Sequence, residues 1–136
     1  RKYSVIDGEE KTTAFYTENE AVVSFNSYTQ QVPADHYFIC VEDTTTVVGY
    51  REREAEMYIR FPKFESLSRM FMSQDLGKAQ EEMAVFITST AEERYLHLLQ
   101  NRPDLLQRVP QHQIASYLGI TPESLSRIRK RMTTGK

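Results

Sequence analysis

The sequence has a single cysteine, no tryptophan and no long apolar run. One cysteine excludes an intramolecular disulfide framework and a cluster held by several cysteines, and it fits a reducing, cytoplasmic compartment. No stretch approaches the roughly eighteen consecutive apolar residues of a membrane-spanning helix, and no signal peptide is recognisable. Motifs of nucleophile elbows, phosphate-binding loops and HExxH zinc sites are also missing, so the sequence predicts no enzyme, cofactor or metal site.

Charge is distributed unevenly along the chain, although the net charge is only −2. Residues 1–88 carry 9 Lys and Arg against 15 Asp and Glu, a net charge of −6. Residues 89–136 carry 8 against 4, a net charge of +4. The basic excess therefore belongs to the C-terminal part, as attraction to phosphate groups would require.

The basic part contains two short helical patterns of apolar residues. In the first pattern, Ile114 and Leu118 are separated by one helical turn. In the second, Leu125, Ile128 and Met132 recur at intervals of three and four residues. Such intervals place apolar side chains on one helix face, so two helices that pack against each other are predicted.

The residues at and between these patterns suit a tight turn between crossing helices. Ala115 is small enough for close approach of two helices, and Gly119 can adopt a positive φ. Thr121 can cap the second helix, Pro122 suits its first position, and Glu123 suits its positive end. The combination predicts a helix-turn-helix.

The outward face of the second helix carries Glu123, Arg127 and Lys130. In a DNA major groove a carboxylate can accept from cytosine N4 and a guanidinium can fork onto guanine, so Glu123 and Arg127 are candidate base readers. Helical geometry makes four neighbours candidate phosphate contacts, namely Thr121, Ser124, Lys130 and Arg131. Alternatively, Glu123 and Arg127 form only a solvated i, i+4 ion pair.

The first fifty residues have β character. Strands are predicted over Lys2–Ile6, Lys11–Tyr16, His36–Val41 and Thr44–Tyr50, with a hairpin turn at Asp7-Gly8 and a loop from Glu18 to Pro33. The aromatic residues of this part are interpreted as the core of the sheet; they are Phe15, Tyr16, Phe25, Tyr28, Tyr37 and Phe38. Because the pattern opens inside a strand, we expect a partial sheet.

Histidine and cysteine are too few to define a metal site. His36 and Cys40 would share a face of the predicted strand, but two ligands do not make a site. Cys40 is better interpreted as a small buried hydrophobe. His97 and His112 are predicted to lie on helix surfaces.

Helices are predicted from residue 51 onward. A charged helix over Arg51–Ile59 precedes one long helix over Pro62–Thr88, and a capping box at Thr90–Glu93 opens the next. The long helix has apolar residues at a spacing that resembles a coiled-coil seam, a candidate dimer interface of Phe64, Leu67, Phe71, Leu76, Ala79, Met83 and Phe86. The alternative is a helix packed on its own sheet. We favour a mixed role, with one stripe on the sheet and one on a twin helix.

Strands, a long helix and a helix-turn-helix follow one another as in the Crp/Fnr superfamily of bacterial transcription regulators, which the chain resembles from Tyr3 to Met132. The likeness is most specific in AEERYLHLLQ and VPQHQIASYLGITPESLSRIRKRM, and the ending without a full wing resembles short Bacteroidetes-type regulators. It implies an α+β fold with part of a cyclic-nucleotide-binding-like antiparallel β-roll at 1–60, a dimerisation helix at 61–88 and a DNA-binding domain at 89–136.

The resemblance also implies roles for individual residues. Glu123, Ser126 and Arg127 reproduce the E-x-x-S-R pattern of Fnr-type recognition helices, which implies a TTGA-like half-site. Cyclic-nucleotide binders hold the ribose with Gly-Glu and the phosphate with Arg-Ser/Thr. Here Glu18 and Glu20 mark the corresponding candidate pocket, but no arginine is present for the phosphate. Cyclic AMP is therefore not expected to bind.

Two classes of function remain. In the first, the chain is a DNA-binding regulator that acts as a homodimer on palindromic double-stranded DNA, with RNA polymerase as a further candidate partner and no role at a membrane. In the second, it is a ligand-sensing or protein-interaction module with a vestigial helix-turn-helix. The basic face of the C-terminal part discriminates between the two classes, because attraction to DNA phosphates gives it a function in the first class and it has none in the second.

Overall fold

The computed structural model describes residues 1–134 and has a mixed α+β fold, with three strands and seven helices in that range. The strands are β1 (Lys2–Ile6), β2 (Glu9–Ala14) and β3 (Tyr37–Phe38). The helices are α1 (Phe25–Gln30), α2 (Arg51–Arg60), α3 (Pro62–Thr88), α4 (Ala91–Asn101), α5 (Leu105–Arg108), α6 (Gln111–Tyr117) and α7 (Pro122–Thr134). The fold class is as predicted.

The chain divides into two compact units. One contains Arg1–Thr44 together with the chain from Ser89 onward, and the other is Thr45–Thr88. The strands thus share a unit with the C-terminal helices, while α2 and α3 form the second unit. The division into three consecutive domains stays a prediction.

The strands form an open antiparallel sheet in the order β2-β1-β3. Asp7 and Gly8 connect β1 to β2 with φ values of 53° and 80°. Two positive φ values in succession are typical of the tight hairpin turn that Asp-Gly favours, so this prediction is confirmed. β2 is left at one edge of the sheet.

The sheet is smaller than the sequence predicts. The stretch Thr44–Tyr50 forms no strand, and the strand predicted over His36–Val41 shortens to the two residues of β3. The predicted loop from Glu18 to Pro33 contains the short helix α1. β-branched and aromatic residues favour strands only where a partner strand and a covered face exist, and the small sheet provides little of either.

The predicted aromatic core of the sheet is largely wrong. Phe15 is buried, but Phe25, Tyr37 and Phe38 are 47%, 57% and 42% exposed. The interpretation of Cys40 as a buried strand residue is also wrong, because Cys40 is exposed and follows the end of β3. A three-stranded sheet with so short a third strand has too little surface to cover these side chains.

The hydrophobic core lies among the C-terminal helices instead. Ile114 and Leu125, which are 2% and 1% exposed, are its most deeply buried large side chains. The whole cluster comprises Phe15, Tyr95, Leu98, Leu105, Val109, Ile114, Ala115, Leu118, Leu125 and Ile128. Phe15 is the member contributed by the N-terminal part of the described chain.

Helix limits follow the local sequence closely. α3 has the predicted bounds, and α2 ends before Phe61-Pro62 because the residue that precedes a proline is disfavoured in a helix. At the start of α4 the Thr90 hydroxyl accepts from the Glu93 amide, and the Glu93 carboxylate accepts from the Thr90 amide at 2.7 Å. These hydrogen bonds to Thr90 lower the pKa of Glu93. The predicted capping box is confirmed.

Gly119 is the glycine whose conformation the helix-turn-helix requires, with a φ of 69°. We expect Gly119→Ala to lower the free energy of unfolding by about 1–2 kcal/mol, because an L side chain is strained at positive φ. Gly77→Ala is the matched control, since a Cβ there meets nothing within 4 Å and alanine favours the helix interior. Urea unfolding followed by circular dichroism measures both, and an unchanged midpoint for Gly119→Ala would contradict the prediction.

Candidate nucleic-acid interface

The helix-turn-helix consists of α6 and α7 joined by a short turn. The Ile120 amide donates to the Ala115 carbonyl at 3.0 Å, and the Gly119 amide donates to the Ser116 carbonyl at 3.0 Å. Ala115 is completely buried. The small side chain and the left-handed glycine therefore occupy the positions that the sequence predicts for them.

The start of α7 is capped as predicted. The Thr121 hydroxyl accepts from the Ser124 amide at 3.2 Å, and the Leu125 amide donates to the Thr121 carbonyl at 3.0 Å. Pro122 is the first helical residue, a position where the amide hydrogen that proline lacks would have no acceptor within the helix. These contacts fix the orientation of α7 at the end that carries Glu123.

α7 is amphipathic, and its apolar side is turned into the core. Leu125 and Ile128 are buried, and Met132 is half-buried against the same cluster. The three candidate base readers and one candidate phosphate contact are exposed on the opposite side of the helix; they are Glu123, Ser126, Arg127 and Lys130. The structure thus brings the predicted reading residues together on one exposed surface, which we call the reading face.

Glu123 is ionised at neutral pH. Its pKa lies below the ordinary value because its own backbone amide hydrogen-bonds to it, with smaller contributions from Thr121 and from the positive charge of Arg127. The carboxylate is fully exposed, so it can accept a hydrogen bond from a base edge. This is the protonation state that recognition of cytosine N4 needs.

Three of the four candidate phosphate contacts, Thr121, Ser124 and Arg131, already have partners in the protein. Arg131 donates to the Glu92 carboxylate of α4 at 2.6 Å, an ion pair that the sequence analysis missed. The Thr121 hydroxyl donates to the Ser124 hydroxyl at 3.2 Å. Thr121 and Arg131 are exposed and Ser124 is half-buried, so a phosphate can compete for them, but Arg131 must first leave Glu92.

Glu18 and Glu20, the candidate ligand-pocket residues, are both held by arginines of the C-terminal helices. Glu18 accepts from Arg108 at 2.7 and 3.0 Å, and this contact lowers the pKa of Glu18 to about 2. Glu20 accepts from Arg102 at 3.1 Å. Neither carboxylate lines the shallow cleft beside α1, whose polar lining residues are Lys2, Ser24, Asn26, Asp35 and His36. Their place in a ligand pocket stays a prediction.

The candidate dimer interface lies on α3 in the second unit. No residue of α3 is buried. The larger apolar side chains of the predicted seam are 39–65% exposed; they are Phe64, Leu67, Phe71, Leu76, Met83 and Phe86. Ala79 is exposed as well. A stripe of this kind is an unusually apolar surface for a single helix.

Sequence reasoning missed the residues that connect the N-terminal part of the chain to the C-terminal helices, chiefly Ser116, Arg102 and Arg108. The only sequence feature that pointed to these contacts was the opposite net charge of the two parts of the chain. His97 and His112 are exposed, as predicted. Within residues 1–134 no three His, Cys, Asp or Glu side chains cluster as a metal would require, and no helix has the length and apolarity to cross a bilayer.

No protein-family model matches the chain, and no curated protein sequence matches it.

Proposed function

We propose that the chain is a sequence-specific DNA-binding regulator of the Crp/Fnr type that acts in the cytoplasm as a homodimer. The observation that carries this proposal is the reading face. Leu125 and Ile128 anchor α7 in the core, and the opposite side presents Glu123 and Arg127 to solvent. An anchored helix with an exposed carboxylate and guanidinium one turn apart has the chemistry of a major-groove reader.

Each of these residues would make a different contact with DNA. The Arg127 guanidinium would donate two hydrogen bonds to guanine O6 and N7, and the ionised Glu123 would accept from cytosine N4. Ser126 would reach a neighbouring base, as its place in the E-x-x-S-R pattern implies. Lys130, Arg131, Thr121 and Ser124 would contact phosphates and set the register of the helix on the duplex.

A homodimer would place two reading faces about one DNA turn (~34 Å) apart and so select a palindrome of TTGA-like half-sites. The exposed apolar stripe of α3 supplies the surface for pairing with a second copy. An effector or partner that binds the strand region would shift the dimer helices and reset the spacing of the reading faces. RNA polymerase is a further partner that such a regulator would meet.

Fluorescence anisotropy with a TTGA-type palindromic duplex and a scrambled duplex tests the proposal. Preferred binding to the palindrome is expected. If Lys130 and Arg131 of each protomer neutralise one phosphate apiece, the logarithm of the binding constant should fall against that of salt with a slope of roughly −3 to −4. Equal, weak binding to both duplexes would overturn the proposal and favour a ligand-sensing or protein-interaction module.

Phe71→Glu is expected to disrupt the dimer without unfolding the monomer. Phe71 is 60% exposed in the monomer, so a carboxylate there stays solvated, whereas an unpaired carboxylate in a dimer interface is costly. We expect the dissociation constant from sedimentation equilibrium to rise at least roughly tenfold. Ser66→Glu adds the same charge on the other side of α3 and should leave dimerisation unchanged; equal effects would contradict the assigned interface.

Glu92→Gln is expected to tighten DNA binding, because it releases Arg131 from its ion pair. Exposed ion pairs contribute about 0.2–1 kcal/mol, so the affinity should rise by no more than roughly fivefold. Glu9→Gln is a matched control, since it removes the same charge from a pair with Lys11 in the β1–β2 hairpin. If both substitutions tighten binding equally, net charge rather than the freed Arg131 is responsible.

A further inference from the structure

Phe15 is an N-terminal residue that lies in the core of the C-terminal helices. It is 5% exposed and its ring meets Tyr117 of α6 edge to face, with the ring centroids 5.3 Å apart. Aromatic residues of this size contribute strongly to a core when buried. The core of the C-terminal helices therefore includes a side chain from a segment more than seventy residues earlier in the chain.

The backbone just before Phe15 is tied to α6 through one side chain. The Ser116 hydroxyl accepts from the Thr12 amide at 2.9 Å and donates to the Glu10 carbonyl at 3.2 Å. Thr12 is buried at this contact. Because β2 is an edge strand, its outer backbone groups need partners, and Ser116 supplies a donor and an acceptor at once.

The backbone just after Phe15 is tied to the end of α4. Arg102 donates to the Phe15 carbonyl at 3.0 Å, to the Thr17 hydroxyl at 3.2 Å and to the Glu20 carboxylate at 3.1 Å. The side chains of Arg102 and Glu20 are only 17% and 24% exposed, so this ion pair is shielded from solvent. The planar guanidinium reaches these acceptors from two separate nitrogens, whereas an ammonium group would have to donate all three bonds from one nitrogen.

Arg108 extends the same attachment. It is bonded to Glu18 and also to Glu42, from two separate stretches of the N-terminal part. The acidic partners match the charge of the region as a whole, since residues 1–44 carry 3 Lys and Arg against 8 Asp and Glu, a net charge of −5. Residues 89–136 have a net charge of +4, so the two parts attract each other.

We propose that residues Glu10–Glu20 act as an intramolecular ligand of the C-terminal helices α4 to α7, and we call them the docking segment. Phe15 fills the core, Ser116 pairs with the strand edge, and the Arg102–Glu20 and Arg108–Glu18 ion pairs form an ionic latch. The surface that receives the segment fits a strand that is followed by an aromatic residue and then by a turn, with carboxylates three and five positions after the aromatic residue.

Docking leaves the reading face uncovered. Glu123, Ser126 and Arg127 stay exposed while the segment is bound, so the docked form is competent to bind DNA. Release of the latch would withdraw Phe15 and loosen the scaffold that holds α7. Regulation would then act by undocking rather than by masking the DNA surface. This consequence for DNA rests on the proposed function, whereas the docking itself does not.

Hydrogen–deuterium exchange of the full chain without DNA tests docking, with Glu20→Gln, Arg102→Lys and Phe15→Ala compared with the wild type. We expect Glu20→Gln to speed exchange of the α6 amides roughly tenfold, as loss of a charge-assisted hydrogen bond implies. Arg102→Lys should act in the same direction, because it keeps the charge but loses the fork. Phe15→Ala should have the largest effect, roughly 100-fold or more.

Glu9→Gln is the control, because it removes the same charge next to the docking segment and should leave α6 exchange unchanged. Raising the salt concentration should speed α6 exchange in the wild type and have less effect in Glu20→Gln, where the latch is already weakened. Unchanged α6 exchange in both Glu20→Gln and Arg102→Lys would overturn the latch. Because no DNA is present, a failure of docking and a failure of DNA recognition are observed separately.

Discussion

Arg127→Ala is expected to abolish the preference for the palindrome and to weaken binding to it by roughly 5- to 150-fold per half-site. A bidentate contact from arginine to guanine contributes about 1–3 kcal/mol of discrimination, and alanine removes both donors. Arg127 is exposed on α7 while Leu125 and Ile128 hold that helix in the core, so the substitution removes the proposed base contact without disturbing the scaffold. Anisotropy titrations with palindromic and scrambled duplexes measure the effect.

Arg129→Ala is the control for that experiment. It removes the same charge from the same helix, but Arg129 lines a cleft with Tyr95 and Leu99 on the α4 side. We expect it to weaken binding to both duplexes modestly and equally, because it changes only the attraction to phosphates. If Arg127→Ala and Arg129→Ala reduce the preference for the palindrome to the same extent, Arg127 is not a base reader.

Leu125→Ala is expected to have the largest effect on stability. Leu125 is 1% exposed and is the first apolar anchor of α7 in the core. Deleting a buried leucine side chain removes its burial and leaves a cavity, which together cost about 2–5 kcal/mol. Urea unfolding followed by circular dichroism should show the midpoint falling with an unchanged slope.

Leu96→Ala provides the comparison for Leu125→Ala. Leu96 is 38% exposed on α4, so its truncation leaves no enclosed cavity and should cost less than about 1 kcal/mol. Equal losses at the two positions would mean that the core is not packed around α7. DNA binding by Leu125→Ala should also decline, because the reading face depends on the anchored helix.

Much of the candidate interface follows from the sequence alone, because it is local. Three- and four-residue spacing determines which side of α7 is apolar, and the exposed positions of Glu123 and Arg127 follow from it. The capping box at Thr90 and the positive φ of Gly119 likewise depend on a few neighbouring residues. Contacts within one or two helical turns are the ones that a sequence pattern can determine.

The strand region depends on tertiary structure to a greater degree. The residues of Thr44–Tyr50 suit a strand, but no partner strand lies beside them in the described chain, so they remain irregular. Cys40 and Phe38 look like core residues in the sequence, yet both are exposed because the sheet is too small to cover them. Strand formation requires a neighbour that is distant in sequence, and no local pattern specifies it.

The pairing of charges between distant parts of the chain was decided by tertiary structure. With 17 Lys and Arg and 19 Asp and Glu in the chain, composition cannot show that Arg102 binds Glu20 or that Arg131 binds Glu92. Nor can it show that Phe15 belongs to the core of a helix-turn-helix far along the chain. Helix faces and caps are set by bonds between near neighbours, whereas these partners are chosen by which surfaces meet when the whole chain packs.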